Sequence, residues 1–304
     1  MRHYLKFSDF TLEEYQYLFE RAAKLKERLR AGQLYQPLPG KVLGMIFEKS
    51  STRTRVSFEA GMFQLGGHAM FLQSKDTQLG RGEPIEDVAK VISRMVDIVM
   101  VRTYEQSIIE RFAENSLVPV INGLTNEYHP CQIMADIFTY VERFGSIEGK
   151  TVAWIGDSNN VSRTWLQAAK IFNFKLNLAC PAGYEMTVLD GETYSSEHFE
   201  SFRDIYTAAR DADIVTTDVS TSMGYERETL QRKKDFLNYK VSEKVMLQAK
   251  ANALFMHCLP AHRGEEVDPE VIDGPQSVVW EEAENRMHVQ KAVIEYLLLG
   301  RIND

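Results

Sequence analysis

Short apolar runs alternate along this chain with longer segments whose apolar residues recur at helical spacing. An amphipathic segment from Leu12 to Leu29 predicts an opening helix, and the apolar run Val42 to Phe47 predicts a buried strand. The polar loop that follows leads into a second helical pattern, which Gly66 and Gly67 bring to an end. The chain therefore opens as a helix, a strand and another helix.

The same alternation continues through the first half. Further strands are predicted at His68 to Leu72, Ile98 to Arg102 and Val118 to Asn122. Further helices are predicted at Pro84 to Met95, Ser107 to Glu114 and Cys131 to about Phe144. Strands that alternate with helices in this way are typical of a parallel α/β sheet.

A second α/β series begins after Gly145 and Gly149. Its strands are predicted at Thr151 to Ile155, Leu176 to Ala179, Ile214 to Asp218, Ala253 to His257 and Val278 to Trp280, before an apolar helix from Ala283 to Leu299. With no fixed-period repeat, the pattern indicates two doubly wound parallel-sheet α/β domains with a cleft between them. We place them at residues 1–144 and 145–282, with a C-terminal helix at 283–304.

Composition and charge limit the classes of partner that the chain can bind. The 304 residues carry a formal net charge of -8 and no long basic run, which argues against nucleic acid and anionic membranes as partners. No apolar stretch approaches the roughly 18 to 20 residues that span a bilayer, and Met1 to Phe10 lacks the apolar core of a signal peptide. Three cysteines without a C-x-x-C pair fit reduced thiols, so we expect a soluble, cytoplasmic protein.

The segment Ser51-Thr52-Arg53-Thr54-Arg55 lies where a strand gives way to a helix. Free backbone N–H groups and the positive end of the helix attract phosphate there, and hydroxyls and a guanidinium add donors. Arg53 and Arg55 stand about 200° apart around a helix, so only one can face the ligand, and we assign Arg53. The alternative, a plain helix cap with surface arginines, stays open for the loop alone.

Other strand ends carry further polar groups. Arg102 closes a predicted strand, and ligands of open α/β sheets gather beyond the carboxyl ends of strands. His129-Pro130-Cys131-Gln132 places an imidazole and an amide at a helix start, where both can polarise a carbonyl. Taken alone, a histidine before proline is more often an ordinary loop residue.

The second half of the chain carries polar residues that can bind a small polar substrate. The turn from Gly156 to Asn160 lacks the G-x-G-x-x-G spacing, which disfavours a nicotinamide site, and Asn160 can instead hydrogen-bond a small polar substrate. Asp218 precedes Ser222-Met223-Gly224, and Cys258 lies between His257 and His262. A zinc site on Cys258, His257 and His262 is the alternative, but structural zinc needs four ligands, so we predict no metal.

Together these motifs resemble the aspartate/ornithine carbamoyltransferase family, and more closely its ornithine branch, over nearly the whole chain. The S-T-R-T-R loop and H-P-C-Q are shared widely in the family. The ornithine branch is indicated by S-M-G after Asp218, by H-C-L-P with A-H-R-G-E-E, by Gln78-Leu79-Gly80-Arg81-Gly82-Glu83-Pro84 and by Glu284-Asn285-Arg286-Met287. One departure lies near Ser220, where relatives often carry a tryptophan.

The resemblance implies a carbamoyl phosphate domain, an ornithine domain, a last helix that returns to the first domain, and a homotrimer or assembly of trimers. It implies that carbamoyl phosphate is bound by Ser51, Thr52, Arg53, Thr54, Gln78 of a neighbouring subunit, Arg102, His129, Gln132, Cys258, Leu259 and Arg286. It implies that ornithine is bound by Asn160, Asp218, Ser222 and Met223. The catalytic set is expected to be Arg53, Arg102, His129, Asp218 and Cys258, with neither metal nor organic cofactor.

The implied reaction moves the carbamoyl group of carbamoyl phosphate to the side-chain amine of L-ornithine and gives L-citrulline and phosphate, as in arginine metabolism. Three readings compete with it. A putrescine carbamoyltransferase would act on an amine without an α-carboxylate, whereas Asp218 with Ser222-Met223-Gly224 favours ornithine. A binding protein that has lost activity is opposed by the intact candidate residues at every site. A nicotinamide oxidoreductase is disfavoured by the missing glycines.

Overall fold

The computed structural model describes residues 1–73, 82–186, 197–220 and 229–302. The chain forms two compact units, and each has its own parallel sheet. Unit 1 comprises Met1–Phe138 and Glu284–Asp304, and unit 2 comprises Thr139–Ala283. The chain passes from one unit to the other inside two helices, and its C-terminal segment belongs to unit 1.

Unit 1 is built on four strands among the described residues, all parallel and in the order β2-β1-β3-β4. The strands are β1 Val42–Phe47, β2 His68–Gln73, β3 Ile98–Arg102 and β4 Val120–Leu124. The helices are α1 Leu12–Arg30, α2 Thr52–Gln64, α3 Ile85–Ile92, α4 Gln106–Asn115 and α5 Pro130–Phe144, after a short 3-10 helix at Phe7–Asp9. β3 lies beside β1 although β2 intervenes in sequence, so the strand order reverses direction between β1 and β3.

Unit 2 has a five-stranded parallel sheet among its described residues, in the order β7-β6-β5-β8-β9. The strands are β5 Thr151–Ile155, β6 Lys175–Ala179, β7 Phe199–Phe202, β8 Ile214–Thr217 and β9 Leu254–His257. The helices are α6 Asn160–Phe172, α7 Ile205–Ala209, α8 Thr229–Asp235, α9 Glu243–Met246, α10 Pro269–Ile272 and α11 Val279–Leu299. Here the strand order reverses between β5 and β8.

Each sheet is held by apolar side chains between strands and helices. In unit 1, Val99 and Val101 of β3 pack with Val88 of α3 and with Ile109 and Phe112 of α4. Burying a side chain of this size stabilises the fold by about 1.5 to 3 kcal/mol. A comparable cluster in unit 2 includes residues of β5, α7, α9 and α10. The sheets are thus rigid platforms for the loops at their carboxyl ends.

The predicted fold class is confirmed, and most predicted elements lie within a few residues of the observed ones. The strand predicted at Val278 to Trp280 is wrong, because Val279 already begins α11 and the neighbouring Ser277 makes only an isolated bridge to Phe255. The short strand β7 was not predicted. The boundary proposed after residue 144 lies at the end of α5, the helix within which the chain passes from unit 1 to unit 2.

The helix α2 ends as its glycines predict. Gly66 adopts a φ of +86°, which L side chains rarely adopt, and a Cβ on Gly67 would lie 2.8 Å from the Lys41 carbonyl oxygen. The Gly67 N–H donates to the Met62 carbonyl, which closes the last turn. None of the helices in the described ranges is long and apolar enough to cross a membrane.

Candidate active site

Polar side chains gather where each sheet reverses its strand order. In unit 1, the residues after β1 and the end of β3 lie side by side, with Phe47 paired to Arg102. In unit 2, the turn after β5 and the residues after β8 are neighbours in the same way. Crevices at such reversals are where open α/β sheets bind ligands. Both clusters of sequence-predicted residues lie at these places.

The N-terminus of α2 supplies the first donors in unit 1. Ser51 has extended backbone and caps the helix, and its Oγ accepts a hydrogen bond of 3.2 Å from the Thr54 N–H. Thr52 is exposed and Arg53 half-buried. The cap therefore leaves the N–H groups of Thr52 and Arg53 at the positive end of the helix, where an anion is stabilised.

Arg55 contacts residues outside the donors at the N-terminus of α2. Its Nε donates to Glu59 Oε2 at 3.1 Å, one turn along α2, and its guanidinium carbon lies 4.0 Å from the centroid of the Phe71 ring. Arg53 instead contributes positive charge at His129. The two arginines thus serve different surroundings, in the way that their separation around a helix predicts.

Thr54 links two buried guanidinium groups. Its Oγ1 accepts a hydrogen bond of 2.8 Å from Arg286 Nη2 and one of 3.3 Å from Arg102 Nη1. Arg102 is 6 % exposed and Arg286 is 3 % exposed, so both charges are largely shielded from solvent. The Thr54 hydroxyl keeps its own hydrogen to donate. A compact anion is the group that such a buried positive cluster can bind.

An irregularity in β4 helps to aim Arg102. Val101 pairs with Asn122 and Arg102 with Leu124, so Gly123 is the extra residue. A Cβ on Gly123 would lie 2.4 Å from Met100 Sδ and 3.3 Å from the Val101 carbonyl oxygen. A side chain at position 123 would therefore displace Met100 and crowd the Val101 carbonyl, which favours glycine there.

His129 lies at the start of α5 and is buried. The Gln132 N–H donates to its carbonyl at 3.1 Å, so the imidazole stands at the positive end of the helix. Burial lowers the pKa of His129 well below its usual value, and the charges of Arg286, Arg102 and Arg53 lower it further. At neutral pH the ring is uncharged and can donate one hydrogen bond without adding to the positive cluster.

Gln132, one turn into α5, is 1 % exposed, and its Nε2 donates to Asp136 Oδ1 at 2.8 Å. Asp136 is itself buried and was not singled out from the sequence. Its position four residues after Gln132, on the same helix face, is the signal that identifies it. The carboxylate fixes which end of the Gln132 amide donates to it.

Glu48 and Lys49 are further residues without a predicted role. The Glu48 carboxylate accepts a hydrogen bond from the Thr103 hydroxyl, and Lys49 Nζ donates to Asn126 Oδ1. Lys49 Nζ also lies 4.2 Å from the centroid of the Tyr104 ring. These contacts join the loops that follow β1, β3 and β4. The first loop leads into α2, the second begins directly after Arg102, and the third leads to His129.

Asp218, directly after β8, is the centre of the cluster in unit 2. Its Oδ2 accepts a hydrogen bond of 2.7 Å from Asn159 Nδ2, and its Oδ1 accepts from the Cys258 thiol at 3.2 Å and from the Val219 N–H at 2.8 Å. Asn159 also caps α6, because its Oδ1 accepts from two backbone N–H groups of the first turn. The carboxylate is therefore held firmly in one orientation.

Asn160, the predicted ligand in this turn, opens α6 and is half-buried. The neighbouring Asn159, which the sequence reading passed over, holds Asp218. Two adjacent asparagines at a helix start are the available signal, because one can cap the helix while the other faces the crevice.

The loop after β9 is fixed by its histidine. His257 Nδ1 accepts from the Leu259 N–H at 2.9 Å, and His257 Nε2 is 3.2 Å from Glu266 Oε1, which also accepts from the His262 N–H. Leu259 has a φ of +58°. These contacts define the backbone around Cys258.

The zinc alternative named Cys258, His257 and His262. In the structure the donor atoms of Asp218, His257 and Cys258 lie within 4.8 Å of one another, and His262 is not among them. Both ring nitrogens of His257 already engage partners of the protein, so a metal ion would have to displace one of them. We assign no metal role to this group.

Three predicted residues, Gln78, Ser222 and Met223, lie outside the described residues. Of the others, unit 1 brings together Ser51, Thr52, Arg53, Thr54, Arg102, His129, Gln132 and Arg286. Unit 2 brings together Asn160, Asp218, Cys258 and Leu259. Each cluster is contained within its own unit: the first holds donors suited to an anionic ligand, and the second holds the Asp218 carboxylate.

Family models match both halves of the chain. Residues 2–142 match the carbamoyl-P binding domain of aspartate/ornithine carbamoyltransferase, and residues 148–297 match the Asp/Orn binding domain.

Similar proteins share the full length. The chain is 67 % identical to ornithine carbamoyltransferase of Chromobacterium violaceum over 304 residues, covering 100 % of this chain and 99 % of that protein. It is 63 % identical to ornithine carbamoyltransferase of Nitrosomonas europaea, covering 99 % and 98 %. The crystal structure of ornithine carbamoyltransferase from Burkholderia thailandensis superposes with a TM-score of 0.91 at 60 % identity, covering 99 % and 100 %. The enzyme from Pyrococcus furiosus gives 0.91 at 43 % identity, covering 99 % and 98 %.

Proposed function

The chain belongs to the aspartate/ornithine carbamoyltransferase family, and from this premise we propose how its two clusters divide one reaction. The chain is an enzyme that transfers the carbamoyl group of carbamoyl phosphate to the side-chain amine of L-ornithine, giving L-citrulline and phosphate. The observation that carries the proposal is the buried positive cluster around Thr54, opposite in charge to phosphate.

The phosphate end of carbamoyl phosphate is bound at the N-terminus of α2. Ser51, Thr52, Arg53 and Thr54 donate from hydroxyls, backbone N–H groups and one guanidinium, and Arg286 adds a second. Gln78 completes this half from a neighbouring subunit. Each charge-assisted donor strengthens as charge builds on the departing phosphate, and removing one such donor from an active site typically costs about 3 kcal/mol of transition-state stabilisation.

The carbamoyl end lies against Arg102, His129 and Gln132. A neutral imidazole and a guanidinium can donate to the carbonyl oxygen, on which negative charge develops in the tetrahedral intermediate. The lowered pKa of His129 supports this role, because a neutral ring donates without demanding a counter-ion. Asp136 holds the side-chain amide of Gln132 in place. Through this side-chain amide, Gln132 orients the carbamoyl group of the substrate.

The acceptor lies against the cluster of unit 2. Asp218 binds a cationic ammonium group of ornithine, and Asn160, Ser222 and Met223 complete the amino-acid contacts. Cys258 and Leu259 line the reacting centre. The fixed orientation of the Asp218 carboxylate supports this assignment, because an ion pair gains most where the partner is already held in place.

The reaction proceeds by attack of the uncharged ornithine side-chain amine on the carbonyl carbon. A C–N bond forms, the C–O bond to phosphate breaks, and the proton that the amine loses passes to the departing phosphate or to solvent. An amine with a pKa near that of lysine, about 10.4, is neutral in only about one molecule in a few thousand at pH 7. Positioning both substrates in attack geometry can lower the barrier by about 7 to 11 kcal/mol.

A colorimetric citrulline assay with carbamoyl phosphate tests the proposal. Ornithine is expected to give product, whereas putrescine, N-acetylornithine and aspartate should give little. Product from putrescine alone would indicate an acceptor site that ignores the α-carboxylate. No product from ornithine would overturn the proposed reaction.

The neutral state of His129 gives a pH-dependent prediction. Its pKa is lowered in the folded protein, so protonation penalises folding, and stability is lost as pH falls below the unfolded value of about 6.5. We expect the imidazole signals of His129 in an NMR titration to stay those of a neutral ring from pH 8 to pH 6. The variant His129→Gln identifies which signals belong to this residue. A midpoint near 6.5 for His129 would contradict the buried positive site.

We propose that the enzyme works as a homotrimer. Exposed apolar side chains on α2 and β2 support self-association: Val56 and Phe63, one face of α2, are 58 % and 74 % exposed, and Met70 is 44 % exposed. Phe63→Glu should therefore dissociate the assembly, as measured by sedimentation velocity. Leu34→Glu, also highly exposed in unit 1, should leave it intact. An unaltered assembly in Phe63→Glu would reject this surface.

The compartment and pathway belong to the same proposal. No disulfide bond joins the cysteines of the described residues, which suits a reducing cytoplasm. We assign the reaction to arginine biosynthesis, in the direction that forms citrulline. Fractionation of cells that express the chain would test the first statement, and growth of an arginine auxotroph that lacks this activity would test the second.

A further inference from the structure

Arg232, on α8, is a buried cation with no role so far. It is 4 % exposed, and its Nη2 forms an ion pair with the Asp157 carboxylate. Its Nε donates to the Ser220 carbonyl oxygen at 2.7 Å. The guanidinium carbon lies 5.0 Å from the centroid of the Tyr184 ring and 5.5 Å from that of Phe236. One side chain therefore joins the turn after β5 to the segment after β8.

Both partners of Arg232 adjoin the acceptor cluster. Asp157 stands two residues before Asn159, in the same turn, and Ser220 stands two residues after Asp218. Asn159 and Asp218 are hydrogen-bonded to each other at 2.7 Å. Arg232 thus braces that pair, with one contact in the turn after β5 and one in the segment after β8.

The two carboxylates near Arg232, Asp157 and Asp218, differ in how their charges are compensated. Asp157 and Asp218 are close enough for the charge of Asp218 to raise the pKa of Asp157, although burial is the larger cause of that rise. The positive charge of Arg232 opposes both effects. Asp157 is therefore compensated by a guanidinium, whereas the Asp218 carboxylate accepts hydrogen bonds from Asn159, the Cys258 thiol and the Val219 N–H, none of which carries a positive charge. Asp218 is therefore the carboxylate whose charge a cationic ligand can neutralise.

We propose that Arg232 is a positioning residue for the amino-acid acceptor. By neutralising Asp157 and holding the Ser220 carbonyl, it keeps Asp218 as the carboxylate that binds the ornithine ammonium group. This inference rests on the proposed function and concerns the second substrate alone. Its two separable parts are the charge balance with Asp157 and the hydrogen bond to Ser220.

Removal of the guanidinium leaves a buried carboxylate unpaired. In Arg232→Gln, Asp157 competes with Asp218 for the ornithine ammonium group, and the Ser220 carbonyl loses its donor. We expect the KM for ornithine to rise at least about 10-fold, while the KM for carbamoyl phosphate changes less than about twofold. The ratio of putrescine to ornithine turnover should rise, because a diamine has no carboxylate to be repelled by Asp157.

The double variant Asp157→Asn with Arg232→Gln separates charge balance from simple packing. It removes both charges together, so the KM for ornithine should recover by about threefold or more relative to Arg232→Gln alone. A purely structural role predicts that the second substitution adds further damage. Lys233→Gln is the matched control, since Lys233 is the next residue and its half-exposed side chain pairs with Glu265.

The outcomes are distinct from failure of the proposed function. If the unaltered chain forms no citrulline, the reaction itself is wrong. If it is active and Arg232→Gln keeps its ornithine KM within twofold, or the double variant shows no recovery, the inference is overturned. Should circular dichroism show that Arg232→Gln is unfolded, Arg232→Lys takes its place: it keeps the charge but loses the Nε donor to Ser220, and an ornithine KM within twofold of normal would reject the positioning role of that donor.

Discussion

Replacing Arg53 by alanine is expected to abolish most turnover and leave the fold unchanged. Arg53 is half-buried at the N-terminus of α2, and its charge reaches the buried imidazole of His129. In the proposed site it binds the phosphate whose negative charge grows as the C–O bond breaks. Loss of a donor that acts in the transition state typically lowers turnover by about 100- to 1000-fold. We expect a loss of at least 100-fold in kcat/KM for carbamoyl phosphate, measured by citrulline formation.

Arg55→Ala is the matched control for this experiment. Arg55 has the same side chain on the same helix, but it pairs with Glu59 and stacks on Phe71. Its removal should change kcat/KM by less than about fivefold at protein concentrations that keep the assembly intact. Circular dichroism and thermal unfolding check that both variants fold. Equal losses in the two variants, or near-normal turnover in Arg53→Ala, would refute the assignment of the phosphate site.

Replacing Asp218 by asparagine is expected to disable the acceptor side alone. The substitution keeps the shape of the side chain but removes the negative charge that binds the ammonium group. A hydrogen bond to a charged group typically stabilises by about 1.5 to 3 kcal/mol, and misplacement of the attacking amine adds to the loss. We expect kcat/KM for ornithine to fall at least about 100-fold, while the KM for carbamoyl phosphate stays within about threefold.

Asp211→Asn provides the comparison for Asp218. Asp211 is exposed in the same unit and precedes β8 rather than following it, so it lies at the opposite end of that strand. Its φ of +56° is one that asparagine tolerates. Ornithine saturation should be unchanged in this variant. Asp218→Asn with normal ornithine kinetics, or with a loss confined to carbamoyl phosphate, would exclude Asp218 as the acceptor's partner.

Helix α2 illustrates what periodicity can and cannot predict. Its helical spacing, its serine cap and its glycine stop are local properties, and the observed bounds Thr52–Gln64 follow from them. The helix carries two apolar rows. The structure buries Phe58 and Met62 and leaves Val56 and Phe63 exposed. Both rows have the same spacing, so only packing on the sheet selects the buried one.

The error at Val278 has a different cause. An apolar run of three residues is consistent with a strand or with the first turn of a buried helix, and periodicity does not distinguish them. In the structure Val279 opens α11, and the Glu282 N–H already donates to the Val278 carbonyl at 2.8 Å. The continuous helix that follows, with its packing in both units, decided the outcome.

The site residues also divide into those that local sequence predicts and those that only tertiary packing brings together. Ser51 to Arg55, Arg102 and His129 could be proposed as ligands because each lies at the end of a predicted strand, and strand ends meet at one edge of a parallel sheet. Arg286 came only through resemblance, since no local pattern brings a residue of the last helix to Thr54. Asn159, Lys49 and Arg232 were missed, because hydrogen bonds between distant loops leave no periodic pattern in the sequence. Asp136 was missed although it stands one helical turn from Gln132.

The amino-acid sequence by itself determined the α/β class, the existence of two α/β series and the different directions of Arg53 and Arg55, because these depend on neighbours within one turn or one strand. The tertiary structure alone decided which strands adjoin, and so which loops share a crevice. It placed Arg102 and Arg286 on one hydroxyl and joined Arg232 to Asp157. The physical reason is range: backbone geometry acts over a few residues, whereas burial and charge act between any residues that folding brings together.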